Sequence, residues 1–368
     1  MGFYKVEVPY ALAWGQQNKY GANATIVDQV LPEMHDYISP YWYQFPPVDP
    51  IWYPILGTFI GIVGIIAFFG NAIVIYIFIS TKSLRSPSNL LVLNLAVSDF
   101  LMILGMCPIM VVNSYYQTWV FGPMMCEIYG MWGSEFGCNS ILSMMTIALD
   151  RYNVIVKGIS AKPFTKKKAL LWIFLVWLFS LFWTLLPFFG WGRYGPEGNM
   201  TACGTDYLRS ELLHRSYIFF YGLFVYFMPL FVIIYSYYFI LKVGIREQAK
   251  KMNVASLRSS ENANTSTEHK LAKVALVTIS LWFMAWTPYL VVNFMGIFDA
   301  PPIAPLNTIW CSLFAKCSAI YNPIVYAISH PRYKAALAEK LPMLSCADTP
   351  SPAANKSDLE SAETTSVA

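Results

Sequence analysis

The sequence predicts an all-α membrane protein: a bundle of seven transmembrane helices followed by a short amphipathic eighth helix. Three observations predict it. Of 368 residues, 56% are hydrophobic and 12% charged, about half the charged share of a water-soluble globular domain, so most of the surface does not face water. Seven stretches are apolar over the roughly 20 residues that a helix needs to cross the hydrocarbon core. The basic residues are distributed unequally between the segments that connect those stretches. A net charge of +4 gives no nucleic-acid footprint. No CxxC pair or His/Cys cluster suggests a zinc site.

Residues 1–51 contain no continuous apolar leader and read as an extracellular N-terminal tail. The bundle occupies 52–329. Its first span, Trp52–Ser80, is almost wholly apolar and carries Asn71. The second, Asn89–Asn113, carries Asp99 and Pro108. The third, Met124–Val156, is long with polar ends and holds Glu127, Glu135 and Asp150. The fourth, Ala169–Gly190, follows a run of three lysines, and the fifth, Tyr217–Lys242, contains Pro229. The sixth, Leu271–Phe298, has a polar lead-in and Pro288; the seventh, Pro305–Ser329, has Pro323. Helix is forced in these spans, because lipid offers no partner to an open backbone group. The internal prolines are expected as kinks whose freed carbonyls are satisfied by neighbours. Residues 330–341 form an amphipathic cytoplasmic helix, and 342–368, rich in Ser, Thr, Ala and Asp, a disordered cytoplasmic tail.

Orientation follows from the basic residues. Most lie in the loop after the first span, at the end of the third, before the sixth and in the tail. Five, Lys5, Lys19, Arg193, Arg209 and Arg215, fall on the opposite side. The N-terminus is therefore expected outside. The sequons at Asn23 and Asn199 lie on that side and are glycosylation candidates. Cys126 and Cys203 also face the oxidising compartment, so they are expected to form a disulfide that folds the loop over the outer mouth. Cys346, after the amphipathic stretch, is a palmitoylation candidate.

One basic residue remains. Lys316 lies near the middle of the seventh span, where an ammonium costs about 2.5–3.5 kcal/mol to insert. A buried ion pair is the plain explanation. The sharper one is covalent: a desolvated lysine presents a neutral amine that attacks an aldehyde to form a Schiff base. A protonated imine there needs a counter-charge, and the acids within reach are Asp99, Glu127, Glu135, Asp150 and Glu197; composition does not choose among them. Buried polar groups need partners, so Asn71, Asp99 and Asn322 are expected to share one network. Trp286 and Tyr289, beside Pro288, place aromatic rings at a kink where a flat conjugated ligand would fit.

Together these features resemble the rhodopsin-like G-protein-coupled receptors, and among them the opsins, over about residues 36–341. A lysine six residues before Asn322-Pro323-Ile324-Val325-Tyr326 resembles the opsin attachment site. Asp150-Arg151-Tyr152 and the Cys126–Cys203 pair fit the wider receptor family. Longer local runs, among them Asp150–Gly158, Pro196–Asn199 and Arg246–Val254, look like arthropod rhabdomeric visual opsins. The resemblance implies retinal, 11-cis or its 3-hydroxy form, held covalently on Lys316. It selects Glu197, six residues before Cys203, as the counterion, because Tyr129 stands where vertebrate visual opsins carry a glutamate. It implies pocket walls at Tyr129, Gly137, Tyr221, Tyr226, Trp286, Tyr289 and Ser312. It implies a heterotrimeric G protein of the Gq class, arrestin and a receptor kinase as partners, in membrane lipid of photoreceptor microvilli. Two departures from the family bear on this: His330-Pro331-Arg332 replaces the usual HPK, and the Leu241–Ile245 junction is shorter than the rhabdomeric pattern. Glu135 is also outside the pattern, and either faces another helix or tunes colour. Met106 stands where ultraviolet opsins carry a lysine, which implies a visible pigment. The rival functions are a retinal photoisomerase without signalling, which intact DRY and NPxxY motifs disfavour, and a light-driven pump, whose microbial pattern is absent.

Overall fold

The computed structural model describes residues 24–160, 164–253, 260–298 and 303–344. Asn23 and Cys346 lie outside the described residues. α1 (Trp52–Ser80) is followed by α2 (Pro87–Tyr116), which opens on Ser86, whose hydroxyl accepts from the Asn89 amide with Pro87 in the first turn. A cap of this kind is worth about 1 kcal/mol. α3 (Gly122–Tyr152) runs into a π-helical turn, Asn153–Lys157. α4 (Lys166–Leu185) is capped by Thr165 and tightens into a 3₁₀ turn over Leu186–Phe189, where Pro187 lacks the N–H that an α-helix would use. The sequence-predicted helical ends at Val156 and Gly190 are thus π and 3₁₀ geometry instead.

Between α4 and α5 the chain forms a hairpin of β1 (Tyr194–Glu197) and β2 (Ala202–Thr205), antiparallel with Gly195 opposite Gly204 and Pro196 opposite Cys203. This small sheet is the one departure, among the described residues, from an all-helical fold. α5 is a continuous run of α-helix Leu212–Tyr221, a π turn Gly222–Phe227 and α-helix Met228–Asn253. The π turn sits just before Pro229, whose ring would clash with a carbonyl four residues back in unbroken α-helix. α6 (Ser260–Ile297) begins well before the expected Leu271 and contains Pro288; α7 (Pro305–Ser329) contains Pro323. α8 (Pro331–Lys340) is capped by His330, whose Nδ1 accepts from the Tyr333 amide at 3.1 Å.

Among the described residues, five helices are long and apolar enough to cross a membrane by length and composition, those of α1, α2, α4, α5 and α6, with mean hydropathy of 1.7 to 2.6. α3 and α7 fall short, α3 for a physical reason. From Glu135 to Ala148 every residue of α3 is buried, so that helix touches protein on all sides and has no need of a lipid-facing apolar stripe.

Residues expected to be a tail instead pack. The 3₁₀ turns Ile26–Gln29, Pro32–Tyr37 and Pro40–Gln44 bury Ile26, Val27, Met34 and Trp42 in the core shared with α1, α2 and α3. Tyr41 hydrogen-bonds both the amide and the carbonyl of Ile303. Arg193 donates to the Asp36 carbonyl and lies over the Tyr37 ring. The segment closes the hairpin end of the bundle.

Candidate functional site

The disulfide forms as expected, Cys126 in α3 to Cys203 in β2. It pins the hairpin across the mouth of the bundle and aims Glu197, the last residue of β1, inward. Glu197 is 3% exposed and its Oε2 accepts from the Tyr289 hydroxyl at 2.9 Å. Burial pushes the Glu197 carboxyl above its ordinary value; the nearby charge of Lys316 and hydrogen bonds from Tyr289 and Ser312 pull it back part of the way. Gly204 makes room for the group. A Cβ there would stand 2.5 Å from the Tyr289 hydroxyl and 2.7 Å from Glu197 Oε2.

Lys316 is buried in α7 (5% exposed), and its Nζ donates to the Ser312 hydroxyl at 2.9 Å and less closely to the Ser312 carbonyl at 3.4 Å. The amine lies 5.9 Å from the centre of the Tyr129 ring. It opens on a cavity of about 890 Å³, mouth included, lined by Lys316, Glu197 and Ser312 at one end and by side chains of α3, α5 and α6 beyond. Gly137, Tyr221, Tyr226, Trp286 and Tyr289, all expected from the sequence, line it. Tyr129 does not: it is fully buried behind the amine, and its hydroxyl has no hydrogen-bond partner among the described residues.

Sequence reasoning missed Gly130, Gly133, Ser134, Met102, Asn293 and Phe294 as further walls. A signal for the glycines existed. Gly130, Gly133 and Gly137 recur on one face of α3, and each holds a large side chain close: a Cβ at 130, 133 or 137 would come within 2.5–2.7 Å of Tyr194, Met106 or Trp286. Trp286 is held by its Nε1 bond to Ser318 at 3.0 Å and stacks on Trp282. Met106 lines the same cavity. Glu135 does not line it and accepts from the Thr184 hydroxyl of α4 at 2.8 Å, so it faces another helix.

Below the cavity, Asn322 donates to Asp99 at 2.6 Å, and Ser140 donates to the other Asp99 oxygen at 3.0 Å. Asn71 joins differently than expected: it bonds the Ala67 and Ala319 carbonyls rather than Asp99 or Asn322, tying α1 to the α7 backbone one turn before Pro323. At the far end, Arg151 and Asp150 pair at 2.5 Å, 8% and 2% exposed. They line a second cavity with Tyr326 and His330. Tyr152 packs on Tyr235 and Phe239 of α5. The sequon at Asn199 lies in the hairpin turn with its side chain wholly buried and its Oδ1 accepting from Thr201.

A buried amine, a buried carboxylate and an aromatic cavity can hold one elongated apolar molecule with a single reactive end. Comparison with known proteins finds close relatives in sequence and in fold. The family model "7 transmembrane receptor (rhodopsin family)" matches residues 70–326. A rhodopsin of Sphodromantis sp. is 63% identical over 352 residues, covering 94% of this chain and 93% of that protein. The long-wavelength rhodopsin of Apis mellifera is 61% identical, covering 93% and 92%. The crystal structure of squid rhodopsin superposes with a TM-score of 0.80 at 34% identity, covering 92% of this chain and 97% of that one.

Proposed function

Because the chain belongs to the rhodopsin family of seven-transmembrane receptors, and within it to the arthropod visual opsins, we propose that it is a light-activated receptor carrying retinal on Lys316 and signalling through a Gq-class G protein. The observation that carries this reading is the buried Lys316 amine on the wall of an aromatic cavity that Glu197 also lines. The donor set fits the ligand: one amine for an aldehyde, one carboxylate for the resulting charge, and otherwise mainly apolar and aromatic walls.

Retinal, when bound as a protonated Schiff base in its 11-cis or 3-hydroxy form, supplies the absorbing polyene and its light-driven change to all-trans. The chain's own residues do the rest. Glu197 balances the charge on the Lys316 nitrogen. Trp286, resting against the bare face of Gly137, occupies the space that a lengthened ligand would need. Displacing it moves α6 about the kink at Pro288. The far end of α6 then leaves α3, Arg151 parts from Asp150, and the cavity beside Tyr326 and His330 widens to admit a G-protein segment. The helix packing is the two-state element, and ligand shape biases it. In this reading the N-terminus is extracellular, the receptor sits in rhabdomeric microvilli, and a receptor kinase and arrestin act on the tail.

Lys316→Ala tests the assignment. Purified variant mixed with retinal should show no visible absorbance, and borohydride-trapped wild type should carry its adduct on the peptide containing residue 316. An adduct elsewhere overturns the attachment site. Light-dependent nucleotide exchange on purified Gq separates a signalling receptor from a photoisomerase.

A further inference from the structure

Glu197 is carried by a turn that is held from two sides. Residues 198–201 join Glu197, the end of β1, to Ala202, the start of β2 and its partner across the hairpin. The Met200 amide donates to the Glu197 carbonyl at 3.1 Å, so the backbone of the acid is part of the turn. Two residues there have left-handed backbone, Gly198 at φ 61° and Met200 at φ 63°. Glycine adopts that conformation freely and methionine does not. Met200 is 1% exposed, in the core cluster with Trp119, Cys126 and Tyr129. Such a strained turn persists only where its surroundings fix it.

Asn113 of α2 supplies one side. It is wholly buried, and its Nδ2 donates to the Thr201 carbonyl at 3.1 Å while its Oδ1 accepts from the Val120 amide at 3.1 Å. One partner is a carbonyl and the other an N–H, so the site needs a side chain that donates and accepts at once, which an amide does. α7 supplies the other side. A Cβ on Gly198 would lie 3.0 Å from both the Pro305 carbonyl oxygen and Ile309 Cβ, so the turn rests directly on the first turns of α7. Ile309 and Lys316 lie on one face of that helix, about 10 Å apart along its axis. Helical side chains lean toward the N-terminus, and Lys316 does so, donating to Ser312 one turn nearer the hairpin. Where the turn sits on α7 therefore sets the height of the Glu197 carboxylate relative to the amine.

We infer that Asn113 is a positioning residue for the counterion: by holding the Thr201 carbonyl it keeps the strained turn seated on α7, and the seated turn presents Glu197 to the cavity that Lys316 lines. This rests on the reading of Glu197 as counterion to a retinal imine on Lys316. The titratable groups that bear on Glu197 are Tyr289 of α6, Lys316 and Cys311 of α7, Tyr129 of α3 and Tyr207 beyond β2. Asn113 is not among them and carries no charge, so its effect on Glu197 is one of placement.

The test uses the full chain reconstituted with retinal. The reading is the pH at which visible absorbance gives way to near-ultraviolet absorbance on alkaline titration. Asn113→Ala should convert at a pH lower by about one unit, a tenfold weaker hold on the imine proton. In a Glu197→Gln background the same change should have no further effect, because there is no carboxylate left to place. If Asn113→Ala does not fold, Gly198→Ala replaces it; it pushes the turn off α7 from the opposite side and should lower the conversion pH too. Conversion at the wild-type pH, while Glu197→Gln alone is shifted, overturns the positioning role and leaves the counterion in place. A shift of equal size with and without the Glu197 carboxylate also overturns it, by showing that Asn113 acts through something else. An unshifted Glu197→Gln, or wild type that forms no pigment, overturns the underlying reading and this inference with it.

Discussion

Replacing Gly204 with alanine should damage the charged end of the cavity more than any other single-methyl change there. The added Cβ would lie 2.5 Å from the Tyr289 hydroxyl and 2.7 Å from Glu197 Oε2, against 3.4 Å for ordinary contact. Those atoms must retreat by about 0.9 and 0.7 Å. The hairpin cannot retreat in their place. Its next residue back, Cys203, is tied to α3, and Gly195, paired with Gly204, lies against the Tyr37 carbonyl, 2.6 Å from where its own Cβ would be. The 2.9 Å bond between Tyr289 and Glu197 then stretches beyond useful length. Bonds to charged groups are worth about 1.5–3 kcal/mol, and overpacking of a tight site costs about 1–3 kcal/mol. A loss of about 2–4 kcal/mol in stability is expected, with conversion to the near-ultraviolet form at lower pH as Glu197 is displaced. Gly61→Ala is the control: its Cβ would meet Val111 at 3.6 Å, an ordinary contact, and alanine favours the helix by about 0.5–1 kcal/mol. Thermal inactivation of both variants in detergent, with an alkaline titration of each spectrum, decides the matter. If Gly204→Ala proves as heat-stable as Gly61→Ala and titrates like wild type, the reasoning fails.

Three further outcomes are expected. Cys203→Ser opens a closed loop spanning 77 residues and should cost about 4 kcal/mol on the chain-entropy account, read as faster loss of pigment on warming; unchanged half-life would contradict it. His330 is held neutral by burial, its value lowered from 6.5 to about 4, while its Nδ1 caps α8. The unfolded form binds the proton between those values and the folded form does not, so the cap's stability is complete above pH 6.5 and is lost as pH falls toward 4. A nitroxide at Ala335 should gain mobility over that window, and a spectrum constant from pH 7 to 4.5 would rule this out. Asp150→Asn removes one partner of a buried arginine, and breaking a buried pair costs up to about 3–5 kcal/mol. Because the pair closes the far end of the bundle, dark nucleotide exchange should rise by at least roughly tenfold; exchange that stays at the wild-type dark level argues that the pair is not a lock.

The apolar spans were readable because lipid leaves the backbone one choice, and Lys316 was readable because nothing else in its span is charged. Other elements left weak marks. The hairpin strands Tyr-Gly-Pro-Glu and Ala-Cys-Gly-Thr are too short and glycine-rich to show strand periodicity, and the disulfide from Cys203 to α3 holds them. The start of α6 at Ser260 was hidden because its first turns carry no apolar stripe. Composition alone left Glu197 one acid among five; the family resemblance picked it out, and in the fold it lines the same cavity as the amine. Ser312 was visible as a wall, and its four-residue spacing from Lys316 was a signal of its bond to the amine. Tyr129 shows the limit of chain position: its ring lies 5.9 Å from the amine, yet it does not line the cavity.

The lid over the hairpin end has a consequence for biosynthesis. Tyr41 meets Ile303 across a separation of 262 residues, so a segment made before α1 is fastened by one made after α6. Until α7 emerges from the ribosome, the vestibule has no seal, and the turns around Trp42 have only part of their final surroundings. Contacts of such long range form late. Changes that weaken the lid should therefore show first as poor yield of mature protein, before any change in a finished molecule's response to its stimulus.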